Sequence, residues 1–399
     1  MESPVAASGI TERRRSEGGA SESAASGRID RRALGAVLIG WLAARVLVGV
    51  SFLVAHLLSG HVRLPDGRTH LDQGLLTWDG DIYRAIAEHG YAGQAREIVR
   101  FFPLYPLLGR AAGWVLGGRP DIALVLLTNL GALIAGYLLW QVAAARTGSV
   151  AVADRVVVLA NLWPAGLCLV FAYSEGVFLA LVVGVVLLVM RKHPLLAIPL
   201  LVLAGLIRPT GVLLAVVVAV AAIGDLRSAP EPSRWDLRRV APWATAILAP
   251  FAGLGVYLWW LQATLDDGAG PFRIQGQLRA GWREPVTRSI AAVGHLFTGD
   301  FRDVYNVAFA VALIALAVVA VRDRQPAAWS SYLIVGLAVA LSANNIDSIG
   351  RYGMMLAPAW ALALGSLSAR RWAYVTMLMA SAVGFVWFTV LALLGLVIP

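Results

Sequence analysis

The chain is poor in charge, in lysine and in cysteine, and each shortage excludes something. Only 14% of its 399 residues are charged, against 59% apolar; so little charge does not suit the two or three soluble domains this length would otherwise suggest. One cysteine, Cys168, rules out an internal disulfide and any thiolate metal cluster. Set in an apolar run, it reads as a small buried filler. Lysine occurs once, at Lys192, in a chain rich in arginine, a bias that hints at a GC-rich bacterial genome. The six histidines form no pair at ligand spacing on one helix, so no zinc site is expected. A phosphate-binding glycine loop, a nucleophile elbow and a Cys-His arrangement are missing too. No cofactor is indicated, and a need for a divalent metal stays open.

What the chain does have is apolar sequence in runs of about 18 residues or more, the length that spans a hydrocarbon core. Such runs satisfy their own backbone groups only as helices. The expected fold class is therefore an all-α polytopic, multi-pass membrane protein. The net charge of +9 does not argue for nucleic acid, because the basic residues fall mainly between the runs, where they set topology and meet anionic lipid headgroups. Residues 1–30, rich in Ser, Gly, Ala, Arg and Glu, read as a disordered cytoplasmic tail and not as a signal peptide. Residues 31–399 read as a single membrane domain.

Eleven spans are expected, at about 33–58, 121–145, 156–172, 176–190, 194–207, 210–224, 240–262, 303–321, 327–343, 352–369 and 372–397, with 194–224 open to being one broken helix at Arg208-Pro209. Arg13, Arg14, Arg15, Arg28, Arg31 and Arg32 precede the first span and put the N-terminus inside. Inside connections then carry Arg146 and Arg155; Arg191 and Lys192; Arg227, Arg234, Arg238 and Arg239; Arg322 and Arg324; or Arg370 and Arg371. Short outside turns carry only Arg208 and Arg351. Two long segments lie outside, a large first loop at 59–120 and a second at 264–302. The second reads as a lid at headgroup level, with Phe272, Trp282 and Phe297 among Arg273, Arg279, Arg283 and Arg288. This alternation puts Asp79 and Asp81, Tyr173-Ser174-Glu175, Arg208-Pro209-Thr210 and Ser348–Tyr352 on one non-cytoplasmic face. Chance would scatter them over both.

The stretch Trp78-Asp79-Gly80-Asp81-Ile82-Tyr83, continuing to Glu88-His89-Gly90-Tyr91, sets two carboxylates beside aromatic rings. In the plainer reading Asp79 caps a short helix over Gly80–His89 that Gly90 stops. Ile82, Tyr83, Ile86 and Ala87 then lie along the interface, Trp78 anchors there, and Arg84 pairs with Glu88. In the functional reading Asp79 is a general base, and Asp81 assists it, orients an acceptor or holds a cation. Arg208 and Arg351 either snorkel to the surface or bind a phosphate. Ser174 and Glu175 either cap the span that follows or join the site. Arg45, near the middle of the first span, demands an internal partner, since a central arginine costs roughly 2.5–3.5 kcal/mol on insertion scales.

These segments resemble the GPI mannosyltransferase II (PIG-V-like) family and its bacterial mannosyltransferase relatives. Trp78-Asp79 and Ile86-Ala87-Glu88-His89-Gly90-Tyr91 match its aromatic-Asp and Ile-Ala-x-x-Gly-Tyr elements. Phe101-Phe102-Pro103-Leu104-Tyr105-Pro106-Leu107 matches its Phe-Phe-Pro-x-x-Pro-Leu, and Pro164-Ala165 with Tyr173-Ser174-Glu175-Gly176-Val177-Phe178 matches its Pro-Ala and Tyr-Ser-Glu-x-x-Phe. Arg208-Pro209-Thr210-Gly211 and Arg351-Tyr352 complete the series, five ordered matches over residues 78–352. The resemblance implies a GT-C glycosyltransferase that takes mannose from a polyprenyl phosphate, with Asp79 as the catalytic carboxylate. Trp78, Asp81, Tyr83, Glu88, His89, Ser174, Glu175, Arg208, Arg351 and Tyr352 are then the candidate donor- and acceptor-binding residues. The partners would be the polyprenyl-phosphate sugar, a lipid-linked or glycan acceptor, and membrane lipids. In a bacterium the site would face outward from the plasma membrane; in eukaryotic relatives the membrane is the endoplasmic reticulum.

An alternative is a secondary transporter or glycolipid flippase. Those folds place ionisable residues near the midplane in broken helices, often in inverted repeats. Here the acids cluster at span ends, no repeat is evident, and only Arg45 and Arg208 fit. A scaffold subunit that binds a polyprenyl phosphate without turnover is a third reading.

Overall fold

The computed structural model describes residues 30–62, 69–231, 233–279 and 304–399, with a few positions between 281 and 294. The tail expected at 1–30 lies outside these except for Asp30, as do Trp282, Arg283, Arg288 and Phe297 of the expected lid. Among the described residues every helix or strand assigned is a helix. The first, α1 (Arg31–Ser59), starts where the Asp30 carboxylate accepts from the backbone amides of Arg32 and Ala33. The first loop is itself mostly helical: a 3-10 turn at Leu71–Leu76, α2 (Asp79–His89), a 3-10 turn at Arg96–Arg100 and α3 (Leu104–Val115). Then come α4 (Pro120–Thr147), α5 (Val150–Asn161), α6 (Glu175–Met190), α7 (Pro194–Ile207), α8 (Leu214–Arg227), α9 (Leu237–Leu265) and the short α10 (Gly270–Leu278). The C-terminal part holds α11 (Val304–Arg322), α12 (Ala327–Leu341), α13 (Ile349–Met354), α14 (Ala359–Leu367) and α15 (Arg371–Leu393).

Six of these stretches are long and apolar enough to cross a membrane: Arg31–Ser59, Pro120–Thr147, Pro209–Arg227, Leu237–Leu265, Val304–Arg322 and Arg371–Leu393. Helices α6, α7 and α12 are apolar but shorter. The protein is thus an all-helical, multi-pass membrane protein. Helix α1 illustrates how the sequence sorts its faces. Ala33, Val37, Gly40, Ala44, Val48, Ser51 and Ala55 are buried against neighbours, while Ile39, Leu42, Val46, Leu53 and Leu57 face outward. Small residues inward let helices approach closely, and large apolar residues outward suit lipid.

Two of the expected spans are not continuous. Helix α5 ends at Asn161, just before Trp163-Pro164, and only a 3-10 turn at Gly166–Leu169 follows, so 156–172 is not one helix. The 352–369 run divides into α13 and α14 ahead of Pro358. Proline lacks an N–H and pushes the residue before it out of helical geometry. The 194–224 segment breaks where expected, with α7 ending at Ile207 and a 3-10 turn at Pro209–Leu213 leading into α8.

Unwound backbone buried among packed helices must find partners inside the protein, and that need explains Arg45. Its guanidinium donates to the Leu169 carbonyl at 2.8 Å, to Asn129 Oδ1 at 2.8 Å and to the Trp41 carbonyl at 2.8 Å. Asn129 in turn donates to the Val170 carbonyl at 2.9 Å. Arg45 therefore holds the interrupted 162–173 segment. Replacing it with Met should lower unfolding stability in detergent by about 2–3 kcal/mol, the scale of lost charge-assisted bonds. Ligand binding at the cavity described below should stay unchanged.

Candidate functional site

Helix α2 is placed by contact on both sides. Tyr83, Ile86 and Ala87 are buried in the core, so this stripe packs inward and does not lie along the membrane interface. Gly80 abuts Ala172, where a Cβ would sit 3.3 Å from the Ala172 carbonyl. Gly90 at φ 79° ends the helix as expected. Its start differs from the capping expectation. Asp79 is the first helical residue, the N-cap is Trp78, and no side chain caps the end. Trp78 sits at φ 60°, a strained geometry for a non-glycine residue that costs of order 1–3 kcal/mol. It is held there by its indole N–H, which donates to the Ala392 carbonyl at 2.9 Å, and by His70, whose ring centroid lies 4.2 Å away.

Released from capping, the Asp79 carboxylate accepts through Oδ2 from Arg351 at 2.5 Å. Arg351 belongs to α13, which also follows a strained residue, Ser348 at φ 66°. The Arg351 Nε lies 3.3 Å from Glu175 Oε1, and Glu175 also pairs with Arg208. Two carboxylates and two guanidiniums thus alternate across α2, α6, the α7–α8 break and α13. All except Asp79 are more than nine-tenths buried as side chains or nearly so. Arg208 therefore does not snorkel. Ser174 does not cap α6 through its side chain; its hydroxyl accepts from Tyr83 at 3.1 Å and from Arg208 at 3.4 Å. Burial raises the Tyr83 hydroxyl well above the ordinary tyrosine range, with Arg208 pulling down and Glu175 and Asp79 pushing up, so it is a neutral donor. Glu175 is fixed by a tight helix crossing, because a Cβ on Gly176 would run into the Thr128 carbonyl and one on Gly131 would sit 2.6 Å from the Gly176 backbone.

This network forms the floor of a cavity of about 270 Å³. Asp79, Tyr83, Arg208, Arg351 and Tyr352 line it, together with Phe101, Phe102 and Phe178 from the matched motifs. Arg100, Arg279 and Asp347 line it as well. Four guanidiniums thus face two carboxylates on the wall, with Glu175 behind, and the excess is positive. One side of the wall is apolar, from Leu213, Val339, Ala340, Met355 and Leu356, and a second pocket continues past Phe102 and Thr210 to Phe272.

Not every candidate reaches the cavity. Trp78 stays behind α2. Asp81 pairs with Arg84 at 2.5 Å, so the expected Arg84–Glu88 pair does not form. Glu88 and His89 lie near each other, at 3.9 Å, toward the far end of α2, roughly 14 Å along the axis from Asp79 at 1.5 Å per residue. Arg279 was expected only as a headgroup-level cation. It lies just past α10 and donates to the Asn345 and Asp347 carbonyls at 2.8 and 2.9 Å, with its guanidinium 5.1 Å from the Tyr352 ring centroid. The aromatic and arginine mixture of 264–302 was the signal for it, though nothing local marks which arginine turns inward. Among the described residues no group of three His, Cys, Asp or Glu side chains converges as a metal site. Compared with family models, with curated proteins and with solved structures, the chain finds no match.

Proposed function

We propose that the protein is a membrane glycosyltransferase of the GT-C type, similar to the PIG-V-like mannosyltransferases, that moves a sugar from a polyprenyl phosphate to a lipid-linked or glycan acceptor. The observation that carries this reading is convergence: residues from five motifs dispersed over 78–352 meet at one cavity with a carboxylate, surplus guanidiniums and an apolar wall. An anionic lipid phosphate suits the arginines, and its hydrocarbon suits the apolar side. In the mechanism the acceptor hydroxyl attacks the anomeric carbon and gives its proton to Asp79, whose Oδ1 bears no hydrogen bond among the described residues. The bond from that carbon to the phosphate oxygen breaks. The leaving phosphate is then stabilised by Arg208, Arg351 and Arg279, and attack from the opposite face inverts the centre.

In topology, the six long helices, the three shorter apolar ones and the interrupted passages Val150–Leu169 and Ile349–Leu367 support eleven crossings. The site then lies on the non-cytoplasmic face, where a sugar donor must arrive on a lipid. The transporter alternative loses Arg45, which is occupied structurally. Incubating the purified protein with labelled polyprenyl-phosphate mannose and a lipid extract tests the reading, and a labelled glycolipid or glycan is the expected product. Accumulation of a solute in proteoliposomes without sugar transfer would refute it.

A further inference from the structure

A second cavity, of about 510 Å³, lies at the opposite end of α7 from Arg208. The separation is roughly 21 Å, at 1.5 Å per residue over the helix. Three helix junctions meet there: the α6–α7 turn with Lys192, the end of α8 with Asp225, and the start of α9 with Arg239 and Trp243. The Asp225 side chain is nearly buried and forms ion pairs with both Lys192, at 2.8 Å, and Arg239, at 3.1 Å. One acid thus holds two cations in place and leaves one positive charge over. Lys192 Nζ keeps two further N–H groups, and its side chain is 65% exposed. Leu195 and Leu196, on the rim, are more than half exposed, so charge and apolar surface adjoin as they do in a lipid.

The backbone adds an independent sign. Lys192 has φ 58°, where glycine or asparagine is favoured. A lysine there, the only lysine of the chain, is not explained by the turn itself.

We propose that this cavity binds the headgroup of an anionic glycerophospholipid from the leaflet opposite the Asp79 site, with Lys192 and Arg239 on the phosphate and Leu195 and Leu196 against the acyl chains. Basic pockets between membrane helices recognise such headgroups. This does not depend on the transferase reading, and its test involves no turnover.

The lone lysine makes the test direct. The full chain is reconstituted in vesicles of phosphatidylcholine, with or without phosphatidylglycerol, and treated with a neutral amine-acetylating reagent; modification of Lys192 is read by peptide mass spectrometry. The expected result is at least fivefold slower modification with phosphatidylglycerol. Arg239→Gln should remove most of that protection, while Arg370→Gln, a cation outside the cavity, should not. Native mass spectrometry of Lys192→Asn, a substitution the turn accepts, should show about fivefold less retained phosphatidylglycerol, as expected for one cation near a surface. Equal modification in both vesicles would overturn the proposal. So would equal loss of protection in Arg239→Gln and Arg370→Gln, which would mean diffuse surface charge. Equal protection by soluble glycerol phosphate in phosphatidylcholine vesicles would also overturn it, as a site for free phosphate.

Discussion

Asp79→Asn is expected to reduce sugar transfer from polyprenyl-phosphate mannose by about 10²–10⁴-fold, the usual worth of a positioned general base. Asparagine keeps the shape and can still occupy the first turn of α2, but it cannot take a proton from the acceptor hydroxyl. It also leaves Arg351 with Glu175 alone, and a displaced arginine would add its own loss. Two measurements separate these effects. Binding of the unglycosylated polyprenyl phosphate should be kept or tightened in Asp79→Asn, since the phosphate contacts proposed here are arginines and Asp79 competes with the phosphate for Arg351. The Asp79→Asn/Arg351→Gln pair should regain stability relative to Asp79→Asn, because no unpaired buried charge remains, and should regain no activity. A double variant that turned over at the native rate would make Asp79 a structural counter-ion and end its role as base.

How far the sequence prefigured this arrangement depends on the kind of signal. The membrane helices were legible because lipid demands long apolar runs, and six of those runs stand as long helices and three as shorter ones among the described residues. The convergence of Asp79, Glu175, Arg208 and Arg351 was legible through the alternation of basic residues along the chain. It rests on which end of each run a residue occupies and needs no tertiary contact. The unwinding at 162–173 was hidden, because an apolar run does not stop being apolar where Pro164 interrupts its hydrogen bonds. The partner of Arg45 was hidden for the same reason. That partner, the Leu169 carbonyl, is free only because that segment is not α-helical. The pairing of Asp79 with Arg351 spans 272 residues, and the local pattern at 78–91 suggested a cap. Longer-range charge pairing won that competition.

Glu175 joins stability to ligand binding, and it gives the second large effect. It is 1% exposed and sits between Arg208 and Arg351. Removing one partner of a buried ion pair typically costs about 3–5 kcal/mol, because the other charge is left uncompensated. Glu175→Gln should therefore lower unfolding stability in detergent by about that amount. Glu175→Gln with Arg208→Gln should lose less than the sum of the singles, as coupled charges require. The same variant should respond more strongly to ligand. With the carboxylate gone, Arg208 and Arg351 lack their shared counter-charge, and a lipid phosphate entering the cavity supplies one. Polyprenyl phosphate should then stabilise Glu175→Gln by more than it stabilises the parent at equal concentration, since stabilisation grows with the ratio of ligand to dissociation constant. In the parent, a phosphate must compete with Glu175 for the guanidiniums. On the proposed reaction, that competition would give the carboxylate a use beyond holding charge: it aligns the two arginines and would weaken their hold on a phosphate that has left its sugar. If Glu175→Gln proved less stable yet gained no extra stabilisation from polyprenyl phosphate, the arginines would not be the phosphate site.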